Sequence, residues 1–454
     1  MNKILARAAA ISFLVLSPFL IAAEKKTLSV EECVDLGLKS SKFVRSSEAR
    51  VEEAEAKSRQ ADATRLPSLS FSGGYTRLSE VPPFEVSLPF SIPGAPNAFV
   101  VSQNYFNNYA LRVSLQQPLF TGFRLESGSK MAKFSSAASE YDLTKDRTEL
   151  RFAIRSAYWN LYKAREFRRV IDENVELVKA HLGDVKNLFD QGLLTKNEVL
   201  RTQVQQSQVV LAQIDAANSV EMAAVVLNNL IGLPLETEID LSTKVDETAL
   251  FAEVEKLVGG GDEGGGKMLE KALATRPELR AMELRVQASD SGVTLAKSGW
   301  YPQISFVGNY YDLRPNSRLL PAQDKFYSTW DLSLNLSMSL WNWGATKSQT
   351  VQAEAQRTQA REALGQMKDG VAVEVRQSLL RLKSAREEIP VSREAVAQAE
   401  ENLRVTEERF KEGIALNADV LDAEIALLRA RTTLTQSLID LEIARASLAK
   451  AIGD

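Results

Sequence analysis

Few residues of this chain have the types and spacing that a catalytic or metal-binding site requires. The sequence holds one cysteine, Cys33, and one histidine, His181. One residue of each type excludes a disulfide framework and a thiolate zinc cluster, and it leaves few schemes for metal binding or acid–base catalysis. His181 lies beside an apolar helical stripe, which predicts a structural histidine. Adjacent acids such as Glu387 and Glu388 lie on a polar helix face and need no catalytic explanation.

Two further classes of function are disfavoured. The glycine-rich tract 259–266 has neither a preceding strand nor the Lys-Ser or Lys-Thr ending of a phosphate-binding loop, so we predict a flexible linker there. Charged residues make up 25% of the chain and the net charge is −4, without the basic excess of a nucleic-acid-binding protein. We therefore predict that the protein is not an enzyme, has no cofactor or bound metal, and does not bind nucleic acid.

The first 23 residues have the parts of a secretory signal. Lys3 and Arg7 are followed by an apolar run and by small residues before Glu24. The protein is therefore predicted to leave the cytoplasm. No later segment is an unbroken apolar run of the ~18–20 residues that a spanning helix needs.

The chain contains one pattern twice. Residues 114–232 match residues 335–453 without a gap, at an offset of 221 (335 − 114). Upstream the offset is 235 (302 − 67), so the first copy carries an insertion of 14 residues (235 − 221) between roughly residues 76 and 109. A duplicated chain is expected to contain two similar structural repeats. We place them at residues 24–232 and 267–454, joined by residues 233–266.

Four segments alternate between apolar and polar side chains. They are residues 67–76, 109–118, 302–311 and 330–340. In the last, every even-numbered residue from Trp330 to Leu340 is apolar, and every odd-numbered residue from Asp331 to Ser339 is polar. Each segment has about ten residues, the length of a tilted membrane strand, and aromatic residues cluster at the segment ends as at membrane interfaces. Alternation alone fits half-buried strands of a soluble sheet equally well.

The remaining sequence is helical in character. Long hairpins are predicted at residues 125–231 and 344–452, each turning at a glycine, Gly192 or Gly413, that favours a left-handed conformation. A heptad stripe in the first hairpin predicts coiled-coil packing; it comprises Ile171, Val175, Val178, Leu182, Val185 and Phe189.

Shorter segments complete each copy. Polar helices are predicted at residues 30–65 and 267–298, before the first strand of each copy. Proline-rich loops at residues 76–108 and 312–325 join the two strands of each copy and are predicted to be exposed connections.

Four membrane strands cannot close a barrel within one chain. Open edges in lipid leave backbone groups unpaired, and the smallest barrels have about eight strands. Two chains would complete a filled eight-stranded barrel, and three would complete a twelve-stranded barrel whose wet lumen suits the polar strand faces. The predicted fold class is mixed α and β: a long α-helical coiled-coil barrel plus four membrane strands per chain, completing a 12-stranded trimeric β-barrel.

Together these features resemble the outer-membrane efflux protein family, the trimeric TolC-like exit ducts of Gram-negative bacteria. The resemblance covers nearly the whole mature chain. It rests on the strand entry 66–71 (Leu-Pro-Ser-Leu-Ser-Phe), the strand-to-helix junctions 118–122 and 340–344, and the Phe-x-x-Gly turns at Phe189 and Phe410. It implies a barrel in outer-membrane lipid, a helical barrel across the periplasm, a belt domain that includes residues 233–266, and docking to a periplasmic adaptor protein and an inner-membrane transporter.

The resemblance also assigns functional residues. The hairpin turns would form the periplasmic tips where the adaptor docks: Gly192, Leu193, Leu194, Thr195, Gly413, Ile414, Ala415 and Leu416. Asp419 and Asp422 would line the narrowest part of the pore, with Glu198 as the first-copy counterpart of Asp419. Asp419 and Asp422 are three residues apart on one helix face, so three chains would place six carboxylates around a cation-selective opening. All three acids also lie near a helix N-terminus, where ~0.3–1 kcal/mol favours an acid without any pore role.

One part of the family pattern is missing. Ala415 and Phe410 stand where family members with a well-described closed tip have an arginine and a tyrosine, so the polar latch of those side chains is predicted to be absent. The leading functional prediction is a passive outer-membrane export duct of a tripartite efflux system. The exit duct of a type I protein-secretion system is the alternative within this class. A secreted soluble coiled-coil scaffold protein is the alternative of another class.

Overall fold

The computed structural model describes residues 26–82, 84–87, 89–90, 93–94, 98–102, 104–243, 246–259 and 261–453. The predicted signal segment, residues 1–23, lies outside the described residues. The described residues form two compact units. The first comprises residues 26–41, 150–259 and 380–447, and the second comprises residues 42–149, 261–379 and 448–453. Each unit takes segments from both sequence copies, because helices of the two copies pack side by side within it.

The elements follow a similar order in both copies, apart from the pair β3–β4 of the first copy and an additional helix before the first long strand of the second. The first copy contains β1 (Lys26–Leu28), α1 (Val30–Ser40), α2 (Lys42–Ala63), β2 (Ser68–Arg77), β3 (Phe84–Ser87), β4 (Ala98–Ser102), β5 (Asn107–Phe120), α3 (Arg124–Asp190) and α4 (Lys196–Ile231). The remaining chain contains β6 (Ile239–Leu241), α5 (Glu247–Val258), α6 (Gly261–Thr275), α7 (Pro277–Lys297), β7 (Gln303–Arg314), β8 (Tyr327–Ser337), α8 (Ala345–Lys411) and α9 (Asn417–Ile452).

The two long helical hairpins have the same dimensions. Helices α3 and α8 each have 67 residues, and helices α4 and α9 each have 36. A helix of 67 residues rises on the order of 100 Å. Gly192 and Gly413 adopt φ values of +77° and +74° in the turns, a conformation that costs glycine little. The predicted hairpins are therefore confirmed, including the positions of their turns.

The heptad stripe of α3 packs into the core of the first unit along most of its length. Ile171, Val178, Leu182 and Val185 are buried. Phe189 at the end of the stripe is 38% exposed, whereas its second-copy counterpart Phe410 is buried. The stripe thus packs as predicted up to the last turn of α3, with Val175 half-buried and Phe189 more exposed than the residues before it.

A four-stranded antiparallel sheet lies in the second unit, in the order β2-β5-β7-β8. Its register pairs Leu69 with Leu115 and Phe306 with Leu334. Since directly opposed residues share a face, most apolar side chains of the four strands lie on one side of the sheet, whereas Val307, Tyr311 and Leu313 of β7 lie on the other. Many of them, including Leu69 and Leu334, are exposed in the single chain. The predicted alternation is therefore confirmed as one predominantly apolar face.

The opposite face of the sheet is polar and internally hydrogen-bonded. Asn309 on β7 accepts bonds from Arg112 Nη2 at 2.7 Å and from Ser114 Oγ at 2.7 Å, both on β5. Its amide nitrogen donates to Asp331 Oδ1 on β8 at 2.8 Å. This network ties three strands together on the face that the sequence predicts to border water.

The boundaries of three predicted segments differ from the structure. Strand β8 ends at Ser337 rather than at residue 340, because its partner Gln303 follows Pro302, which has no N–H to continue the ladder. The helix predicted at residues 30–65 is interrupted at Ser41, and the one predicted at residues 267–298 is interrupted at Arg276. Arg276 precedes Pro277, and a residue before proline disfavours the helical conformation.

Two segments predicted to be irregular contain regular structure. The glycine-rich tract is helical from Gly261 onward, so the flexible linker predicted there is wrong for that part. Helix α6 packs Met268 and Ala272 against Leu279, Val371 and neighbouring residues, and this packing stabilises a helix that extends back into the glycines. The loop predicted at residues 76–108 contains the short antiparallel pair β3–β4, which pairs with no other described strand.

Both strand-to-helix junctions use two successive residues with positive φ. In the first copy they are Gly122 at +61° and Phe123 at +67°, and in the second they are Trp343 at +53° and Gly344 at +81°. At Gly122 a Cβ atom would lie 2.7 Å from Ser298 O and 2.7 Å from Tyr301 Cβ. Glycine at this position therefore satisfies both a conformational and a packing constraint.

Replacing Gly122 is expected to destabilise the second unit, which contains the four-stranded sheet. Gly122→Ala places a non-glycine residue in the left-handed region and brings its Cβ atom too close to backbone atoms. Together these effects are expected to lower the free energy of unfolding by on the order of 2 kcal/mol or more. Thermal unfolding of the detergent-solubilised protein measures the loss. Gly74→Ala is the control, because a Cβ atom there meets nothing within 4 Å. Equal melting temperatures for the two variants would contradict the close approach at residue 122.

Candidate pore constriction and hairpin tips

The two hairpin turns have the same backbone geometry. In the first, Gly192 N donates to Phe189 O at 2.8 Å and Leu193 N donates to Leu188 O at 2.9 Å. In the second, the equivalent bonds run from Gly413 N to Phe410 O at 2.9 Å and from Ile414 N to Arg409 O at 2.8 Å. Such paired bonds satisfy the last carbonyls of a helix and require a left-handed residue, which explains the glycines.

The predicted tip residues differ in how they face solvent. Leu193 is 68% exposed and Leu416 is 70% exposed, and Ile414 is also exposed. Leu194 and Ala415 instead pack against a buried apolar cluster beneath the turns, which we call the tip cluster. It comprises Leu182, Val185, Val199, Leu403, Phe410, Val420, Ala423 and Leu427. The two turns thus share a core and present apolar side chains outward.

The three predicted constriction acids have different surroundings. Asp419 is exposed, and its Oδ2 accepts a bond from Leu416 N at 2.8 Å, which caps the start of α9. Asp422 is exposed one turn further along the same helix. Glu198 is half-buried, and its Oε2 accepts a bond from Asn417 Nδ2 at 3.0 Å. The structure therefore brings Glu198 to the start of α9, beside the segment that carries Asp419.

A buried polar network lies next to Glu198. His181 on α3 is 7% exposed, and its Nε2 lies 2.8 Å from Asn417 Oδ1 on α9. Asn417 Nδ2 also donates to Thr202 Oγ1 on α4 at 3.1 Å. The prediction that His181 is structural is confirmed by its burial. Its partners were missed, because His181 and Asn417 lie 236 positions apart and nothing local in the sequence indicates their contact.

A second buried polar group in this region is the carboxyl group of Glu424. The residue is 1% exposed, and neither carboxyl oxygen has a hydrogen-bond partner among the described residues. Burial, and to a smaller extent the nearby charge of Glu407, raise the pKa of Glu424 to about 8. Glu424 is therefore protonated at neutral pH. Within the described part of the chain, no group of three or more His, Cys, Asp or Glu side chains is arranged to hold a metal ion.

The sequence profile of the outer membrane efflux protein family matches residues 34–233 and 268–454, which fall in the two copies. The chain belongs to this family. It is an outer-membrane efflux duct of a Gram-negative cell envelope that extends into the periplasm.

Curated relatives come from both efflux and secretion systems. The chain is 26% identical over 330 residues to outer membrane protein TolC of Vibrio cholerae, covering 72% of each chain. It is 23% identical over 344 residues to alkaline protease secretion protein AprF of Pseudomonas aeruginosa, covering 74% of this chain and 67% of AprF.

Solved structures confirm the fold class. The outer-membrane channel OprN superimposes with a TM-score of 0.75 at 18% identity, covering 93% of this chain and 89% of OprN. VceC of Vibrio cholerae superimposes with a TM-score of 0.74 at 18% identity, covering 93% of this chain and 96% of VceC. The long hairpins and the four-stranded sheet are therefore the fold of an outer-membrane channel.

The protonated state of Glu424 has a measurable consequence for stability. Because its folded pKa lies above the ordinary value of 4.5, its stabilising contribution is complete below about pH 4.5 and is lost as the pH rises through about 8. The free energy of local unfolding near Glu424 is expected to fall by up to about 3 kcal/mol between about pH 5 and about pH 8. Glu424→Gln should remove this dependence.

Hydrogen exchange of the amides flanking residue 424 measures this effect. The matched control is Gln203→Glu, which places a glutamate at the exposed first-copy counterpart of Glu424. This control should retain the wild-type pH profile. The same decline in the Glu424→Gln variant would show that the carboxyl group is not its cause.

Proposed function

We propose that the chain works as a homotrimeric, passive export duct of a tripartite efflux system, docked to a periplasmic adaptor protein and supplied by an inner-membrane transporter. The observation that carries the proposal is the four-stranded sheet with an exposed apolar face. Its outer strands, β2 and β8, each pair on one side only among the described strands. An apolar face in lipid requires all backbone groups to be paired, so these edges need partner strands from other chains.

The exposed surface of α4 supports the same assembly. Within the described residues, α4 is the one helix that is long and apolar enough, by length and composition, to cross a membrane. Its apolar side chains Leu200, Val204, Leu211 and Met222 are exposed in the single chain. The second-copy counterpart of Leu200, Leu421, is buried. A neighbouring protomer that covers α4 would bury this surface and make the two copies equivalent.

In this assembly the hairpin turns form the periplasmic end of the duct. The exposed apolar residues Leu193, Ile414 and Leu416 suit a protein partner, since apolar side chains exposed together commonly mark an interaction site. Asp419 and Asp422, both exposed, ring the opening and favour cations. Glu198 contributes less directly to the charge at the opening, because Asn417 donates a hydrogen bond to its carboxylate.

A type I protein-secretion duct is the second candidate. Relatives named for protease secretion match the chain over about the same length as those named for efflux. Both candidates share the duct, the adaptor and the trimer, and they differ in the cargo that the inner-membrane partner supplies. No catalytic step by this chain is required in either.

The mass of the detergent-extracted protein tests the assembly. Light scattering, corrected for bound detergent, should give three chains in material recovered from the outer-membrane fraction. A water-soluble monomer or dimer recovered without detergent would contradict the shared membrane sheet and favour a soluble scaffold.

Ion selectivity tests the acidic ring. The double variant Asp419→Asn, Asp422→Asn should lower the ratio of cation to anion permeability in planar bilayers by roughly twofold or more, since it removes six charges from one opening of a trimer. The control Glu387→Gln, Glu388→Gln removes the same charge from an exposed helix face. Unchanged selectivity in the aspartate variant would remove these residues from the constriction.

A further inference from the structure

The polar network around His181 links three helices beneath the hairpin turns. We propose that His181, acting through Asn417, positions the Glu198 carboxylate and latches the first hairpin turn to the start of α9, and that proton uptake by His181 releases this latch. His181 and Asn417 are therefore positioning residues for the tip. The effect of this latch on the channel opening rests on the proposed function, whereas the existence of the latch does not.

Hydrogen-bond geometry fixes the direction of each bond. Asn417 is 3% exposed, and its amide nitrogen donates to Glu198 Oε2 and to Thr202 Oγ1. The reversed amide would set its oxygen against a carboxylate oxygen, which the network excludes. Asn417 Oδ1 therefore faces His181, and His181 must donate from Nε2. The neutral ring then carries its proton on Nε2, and acid adds the second proton at Nδ1.

The surroundings of the ring oppose that second proton. The centre of the Phe410 ring lies 5.5 Å from the centre of the imidazole, and Phe410 belongs to the tip cluster. Burial is the largest effect and lowers the pKa of His181 below its ordinary value, against the bond to Asn417 and the charges of Asp184 and Glu407.

Charged groups face this region from every helix that packs here. Asp184 lies on α3 itself, Glu198 on α4 and Glu407 on α8. On α9, Glu424 also has Glu407 as a charged neighbour. Asp184 and Glu407 favour a cation but are outweighed by the loss of hydration, so the neutral imidazole is the form that fits the packed network.

The direction of the pH effect follows from this balance. His181 in the packed tip binds a proton less readily than it does once the ring reaches water. Acid therefore favours the state in which the ring leaves the cluster, and the penalty develops as the pH falls below about 6.5. The latch is expected to hold at neutral and alkaline pH and to weaken in acid.

The second copy cannot form this network from equivalent residues. The counterpart of His181 is Asn402, which is exposed, and the counterpart of Thr202 is Ala423, which has no hydroxyl group. The device is thus specific to one side of the duplicated hairpin pair. Asn402 also supplies a matched control position on the same face of the second copy.

Hydrogen exchange of the full-length protein in detergent tests the latch. Amide protection in residues 190–199 and 411–420 is compared at about pH 5 and about pH 8, corrected for intrinsic exchange. His181→Gln keeps a donor near the position of Nε2 but cannot titrate, His181→Phe keeps an aromatic ring without a donor, and Asn402→Gln is the control. Loss of one such hydrogen bond should increase opening roughly two- to tenfold.

The inference requires three results together. Each variant is compared with His181→Gln at the same pH, which cancels the opposite pH dependence that Glu424 contributes to all of them. Relative to His181→Gln, the wild type and Asn402→Gln should be less protected at about pH 5 and equally protected at about pH 8, and His181→Phe should be less protected at both. A change in protection between the two pH values that is the same in His181→Gln as in the wild type would overturn the inference, since Glu424 and every other titrating group are shared by the two proteins. Full protection in His181→Phe at about pH 8 would also overturn it.

Single-channel conductance of the same variants separates the latch from the function. Conductance that rises in acid in the wild type but not in His181→Gln would support both the latch and the placement of the tips at the opening. Conductance that stays constant while hydrogen exchange follows His181 would support the latch and contradict that placement.

Discussion

The rest of this structure depends on one constraint, which is that backbone hydrogen-bonding groups in lipid must all be paired. A single chain supplies four strands with an apolar face and leaves β2 and β8 half-paired among the described strands. No rearrangement within four strands removes both edges. In the proposed trimer, strands of neighbouring chains pair these edges. The long helical hairpins attach directly to these strands through two short junctions, so the positions of the strands decide where each helix begins.

Much of the fold was predictable from the sequence because duplication and periodicity are local signals. The alternation of Leu332, Leu334 and Leu336 with polar residues marks a strand, and each turn glycine marks the end of a helix. The errors have physical causes. Phe189 continues the heptad pattern yet is exposed, because the pattern does not show where the supporting helices end. Gly261 begins a helix against its propensity, because packing further along α6 outweighs a few glycines.

The tip was only partly predictable. The turns were predicted from their glycines and the acids from the resemblance to the family, and the structure brings Glu198 and Asn417 together. The hydrogen bond between His181 and Asn417 was not predicted, because it depends on how two hairpins pack side by side. No local pattern in the sequence indicates the rotation or the register of the two hairpins. Glu424 was likewise missed: an isolated acid on a helix resembles a solvated one until the packing around it is known.

The strand-to-helix junctions show what duplication preserves. Each needs two successive left-handed residues, and each provides one glycine and one aromatic residue, but in opposite order: Gly122-Phe123 in one copy and Trp343-Gly344 in the other. Aligned position by position, these pairs look unrelated, although their backbones follow the same path. After duplication, the backbone dihedral angles have been kept at these junctions, whereas the residue types have not. The two copies within one chain can therefore be compared as homologues. Positions where they differ show which residue types the backbone geometry requires and which it only tolerates.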